Sequence, residues 1–182
     1  MTQAELIGQI ANTIGKLKVL ELSRILKEQQ FALRDLIDIT FHTNKAVAFR
    51  AAWLLENVFL KDAESYLPDL YYMISRFKEV KHQGCMRHYA KITMHITDAK
   101  ALSSIQLKLK EINLEPVVEQ LFDWMINPGT KVAVKIFAGY ALFNLKDTFP
   151  WVKEELGNQM QFLMRNGSAA IQSGGKKILK EL

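Results

Sequence analysis

Apolar residues recur along this chain at steps of three and four, as at Val47, Ala51, Leu54, Leu55 and Val58, which places them on one side of an α-helix. No stretch combines the alternation of a half-buried strand with flanking turn signals. Proline and glycine fall where helices begin and end. Pro116 and Pro150 suit a first helical turn, where the missing N–H costs nothing. Asn127-Pro128-Gly129-Thr130 reads as a turn, and Ser168 after Gly167 as an N-cap. The pattern predicts about eleven helices, spanning 3–14, 18–28, 31–41, 45–61, 66–77, 82–96, 99–110, 115–126, 131–146, 151–165 and 169–181. Their connections are short, so successive helices are expected to lie antiparallel in an all-α fold.

Four of these helices can be laid over one another: 47–58, 85–96, 134–145 and 171–182, whose starts are 38, 49 and 37 residues apart. Each opens on a small or branched apolar residue and places apolar residues at its eighth and twelfth positions (Leu54, Ile92, Ala141, Ile178; Val58, Ile96, Leu145, Leu182). Each also has a small residue four or five places after its start, and small side chains in mid-helix permit close helix approach. One such unit cannot bury its own apolar face, so stacked units are needed to make a core. The segment resembles the second helix of a HEAT repeat, roughly Val-Arg-x-x-Ala-Ala-x-Ala-Leu-x-x-Ile. The match is best at 134–145, through Val134, Lys135, Ala138, Gly139, Ala141, Leu142 and Leu145. The 85–96 segment departs most, with Cys85 first and Tyr89 where a small residue is expected.

The resemblance implies a HEAT/armadillo-like solenoid, a right-handed α-α superhelix. Residues 1–182 are then a single helical-repeat domain, with N-terminal helices over 1–44 and HEAT-like repeats over 45–182. The chain is also similar to small bacterial HEAT-like proteins sometimes labelled adenylosuccinate lyase. It has nothing like that enzyme's Ser-Ser-x-Met-Pro-x-Lys-x-Asn loop, since Ser103-Ser104 is followed by Ile-Gln-Leu.

Composition narrows the classes further. Hydrophobic residues at 49% and charged residues at 24% fit a globular chain and argue against disorder or a coiled coil. One cysteine excludes an intramolecular disulfide and any multi-thiolate zinc site. The start, Met-Thr-Gln-Ala-Glu-Leu, is unlike a secretory signal, so a soluble cytoplasmic protein is expected. The net charge of +5 is spread evenly: residues 1–91 carry 13 Lys+Arg against 10 Asp+Glu, and 92–182 carry 11 against 9. Only folding could gather these lysines into a stripe.

The repeat register proposes a binding surface. At the fourth, seventh and eleventh positions the helices carry Arg50, Trp53 and Asn57, then His88, Lys91 and His95, then Phe137, Tyr140 and Asn144. In a solenoid, equivalent positions line up across the stack and form one continuous surface. This composition suits a protein interface or a single-strand groove. Alternatively, Trp53, Phe137 and Tyr140 pack against the first helices of their repeats. Cys85, His82, His88 and His95 are metal-ligand types without a recognisable ligand spacing, so no metal and no cofactor is expected. Ser173-Gly174-Gly175-Lys176-Lys177 lacks the spacing of a phosphate loop. Glu154-Glu155, and Asp35 with Asp38, read as solvated surface. The expected function is a noncatalytic scaffold, a monomer that holds another protein in its groove. The rivals are nucleic-acid binding, as in glycosylases resembling HEAT arrays, and an enzyme with its site between repeats.

Overall fold

The computed structural model describes residues 1–12 and 14–182, and these contain eleven α-helices and no strand. The helices are α1 (Gln3–Ile10), α2 (Lys16–Glu28), α3 (Leu33–Ile39), α4 (Lys45–Lys61), α5 (Leu67–Ser75), α6 (Gln83–Ile96), α7 (Ser103–Lys110), α8 (Glu115–Ile126), α9 (Val132–Leu145), α10 (Trp151–Met164) and α11 (Ala169–Glu181). A 3-10 turn, Phe77–Glu79, follows α5. None of these helices is long and apolar enough to cross a membrane.

Helix boundaries follow local chemistry. Thr2 and Glu5 form a capping box at α1, each side chain satisfying the other's backbone N–H. The Asn44 side chain accepts from the N–H groups of Ala46 and Val47 and starts α4. Pro116 lies in the first turn of α8 and Pro150 immediately before α10, as their fixed φ favours. The Asn127 side chain accepts from Gly129 N–H at 2.8 Å and closes the expected turn. Ser168 does occupy the N-cap of α11, although its side chain makes no cap bond.

Several boundaries differ from the pattern, and three have a visible local cause or limit. α7 begins at Ser103 rather than 99, because Asp98 folds 98–101 into a turn by accepting from Lys100 N–H. α3 begins at Leu33 rather than 31, because Phe31 completes the end of α2. There Gln30 adopts φ 50°, Gln30 N–H bonds Lys27 O and Phe31 N–H bonds Leu26 O, a Schellman closure with glutamine where glycine is usual. α1 stops at Ile10, and part of the helix expected over 3–14 falls on Thr13, outside the described residues.

The chain forms two compact units, Met1–Ile92 and Thr93–Leu182. In the first, α4 packs on α1, α2 and α3, and α3 on α5. Its Ala48, Ala51 and Ala52 are buried at these approaches. In the second, α9 packs on α8, α10 and α11. The four superposable helices are α4, α6, α9 and α11. Their first, fifth, eighth and twelfth positions are buried throughout, save half-buried Leu182. Tyr89, the misfit in the register, is fully buried, and its hydroxyl meets Thr40 Oγ1 at 2.9 Å.

Candidate binding cleft

In the second unit the exposed side of α9 forms the floor of a cleft of about 550 Å³. Phe137, Tyr140, Phe143 and Asn144 come from α9, and Lys177, Ile178 and Glu181 from α11. Met94 on the last turn of α6 and Asp98 and Lys100 beyond it complete the wall. Helical spacing explains the α9 set: residues three and four apart share a face, and the adjoining face, roughly 100° around the helix, carries Val134, Ala138, Ala141 and Leu145 into the core. Asn144 Nδ2 donates to Met94 O at 2.9 Å and to Thr97 Oγ1 at 3.3 Å, tying α9 to the end of α6. Lys177 Nζ stands 5.5 Å from the Tyr140 ring centre and Lys146 Nζ 3.9 Å from that of Phe143. Apolar rings with charges of both signs at the edge make a surface suited to recognition.

Of the nine residues proposed from the register, Phe137, Tyr140 and Asn144 meet in this cleft, half-buried rather than core. His95 is exposed on α6 and stands outside the cleft lining. The remaining five lie in the first unit, each with contacts of its own. Arg50 Nη1 donates to Ile10 O and Ala11 O, both at 2.8 Å, and caps the C-terminus of α1. Half-buried Trp53 leans on the Phe49 ring, and Asn57 Nδ2 bonds Trp53 O on its own helix. His88 Nδ1 and Lys91 Nζ both contact the carboxylate of buried Glu56, each at 2.6 Å. Burial pushes the Glu56 carboxyl up, but the bonds from His88 and Lys91 outweigh it and hold the group below its ordinary 4.5. His88 Nε2 is buried without a hydrogen-bond partner.

Cys85 is buried, its sulfur 3.7 Å from Thr40 O and 3.5 Å from His82 Nδ1, and burial pushes its thiol up to about 12. Among the described residues no three His, Cys, Asp or Glu side chains could hold a metal ion together. Asp38, whose side chain is 41% exposed, also accepts from Tyr72 OH and Arg76 Nη1, both at 2.6 Å. Lys135, which matches the basic position of the HEAT pattern, is buried and donates to Met125 O at the end of α8. Desolvation lowers its pKa.

The register had the means to find two missed wall residues. Lys177 and Glu181 are the seventh and eleventh positions of the fourth repeated helix. Asp98 and Lys100 stand in a connection, where periodicity carries no signal. In the sequence Glu56 shows only as one of two charges, with Arg50, interrupting the apolar stretch from Ala46 to Leu60.

An all-helical chain with a buried periodic register and an open cleft on its repeated helices defines a helical-repeat protein. The chain belongs to the HEAT repeat domain family, whose model matches residues 6–182. HEAT repeats generally act as scaffolds that mediate interactions. No curated protein and no solved structure matches the chain.

Proposed function

We propose that this protein is a noncatalytic, monomeric scaffold of the cytoplasm that seats a segment of another protein in the cleft on α9 and α11. The observation that carries this reading is the half-buried set Phe137, Tyr140 and Asn144, taken from one register and opening on one cavity. Core aromatics would be fully enclosed, as Tyr89 is. The rings supply apolar contact area, Asn144 is held rigid by its two bonds, and Lys177 and Glu181 offer charges of opposite sign to a partner's polar rim. Nucleic-acid binding is the second reading, favoured by Lys100 and Lys177 beside three aromatic rings but opposed by the carboxylates of Asp98 and Glu181.

The test compares the wild-type protein with Phe137→Ala/Tyr140→Ala as baits in lysate of the source cells, half of it treated with nuclease. A scaffold retains a defined protein in both halves, and the double variant loses it while keeping its helical circular dichroism. Signal that disappears with nuclease overturns the scaffold in favour of nucleic acid.

A further inference from the structure

The first unit carries a second concavity, unrelated to the cleft. It is a crevice of about 140 Å³ between the turn leading into α4 and the segment leading into α6. That is well below the roughly 300–1,000 Å³ of sites for drug-sized ligands, so it suits one small group. Its lining brings His42 and Lys45 from the turn into α4 together with Lys81 and His82 from the segment into α6, beside Thr40 and Cys85.

The two lysines are unneutralised. Lys45 and Lys81 are exposed and form no ion pair among the described residues. The one carboxylate in the lining, Glu79, is already held by Arg76, through Nε at 2.7 Å and Nη2 at 2.8 Å. The same arginine also bonds Asp38, which accepts from Tyr72 as well. His42 Nδ1 accepts from Asn44 N–H, so its proton sits on Nε2, a donor left for a ligand. The Cys85 thiol, raised by burial, adds no negative charge at neutral pH. Two long helices, α4 and α6, also start beside the crevice, and their N-terminal ends add partial positive charge.

We propose that this crevice is a binding site for a phosphate-type oxyanion, either free phosphate or the head of a small phosphate monoester. Lys45 and Lys81 supply the charge, and His42 supplies a directed N–H donor. The proposal is independent of the cleft on α9 and α11.

Calorimetric titration of inorganic phosphate into the full chain, at constant ionic strength set with chloride, provides the test. Binding saturates in the wild type, and Lys45→Ala/Lys81→Ala weakens it about tenfold or more, as expected for the loss of charge-assisted hydrogen bonds. Lys45→Arg/Lys81→Arg restores it. The double alanine variant should melt like the wild type, because both side chains are exposed. A parallel arm with O-phosphoserine decides between free phosphate and a monoester. A response that fails to saturate, or survives unchanged in the double alanine variant, overturns the proposal. Phe137→Ala/Tyr140→Ala should titrate like the wild type, so the two sites are judged separately.

Discussion

Glu56 lies inside an otherwise apolar stretch of α4 and is nevertheless ionised, because His88 and Lys91 reach it from α6. Its folded-state pKa is depressed, so the stability it contributes is present in full above its ordinary value of 4.5 and is lost as pH falls below that through the folded value. Wild-type denaturation midpoints are therefore expected to fall on acidification below about 4.5, and those of Glu56→Gln to fall less. At pH 7 the substitution leaves His88 and Lys91 facing an uncharged amide and costs about 2–3 kcal/mol, below the full value for a wholly buried pair because Lys91 is partly exposed. Urea titrations of both proteins at pH 7 and pH 4 measure each effect. Unchanged stability at pH 7 would remove the ion cluster from the account of this unit. None of this was legible in the chain, since Glu56 and its partners are 32 and 35 residues apart.

At the scale of elements, the contrast between two glycines tests how the helices meet. A Cβ on Gly167, between α10 and α11, would lie 2.6 Å from the backbone oxygen of Leu163 and 2.5 Å from Ile171 Cγ2. The backbone oxygen has no room to give, so Gly167→Ala is expected to cost about 2 kcal/mol. On α9, a Cβ at Gly139 would meet the mobile ends of Met160 and Ile178. Helix propensity favours alanine there by about 1 kcal/mol, which offsets much of the crowding. Thermal melts should thus rank Gly167→Ala well below Gly139→Ala, and the reverse order would show that α9 tolerates less repacking than its neighbours suggest. The small residue at 139 was expected from the register, which asks for close approach at that level. Along the sequence, Gly167 carries only the signal of a turn before the cap at Ser168.

For the whole molecule, charge decides between the two kinds of partner. The +5 excess is divided almost evenly along the chain, and the cleft on α9 and α11 mixes Lys100 and Lys177 with Asp98 and Glu181. A protein segment held there should lose little affinity between 50 and 200 mM salt, whereas a nucleic acid engaging roughly 6–10 phosphates would lose about a thousandfold or more. Retention on the wild-type bait across that salt series reads the difference directly, and a steep loss would refute the protein partner. The family assignment, the helices and their buried register were all determined by the sequence alone, because period and capping are local properties that each helix states for itself. Which half-buried residues open on a cavity, which of them cap a helix end, and which carboxylate is ionised in the core were decided only by the tertiary structure. Arg50 and Tyr140 hold related positions in the register, yet one satisfies the carbonyls of α1 and the other lines a cleft. Contacts between distant segments set that difference, and periodicity along the chain does not encode them.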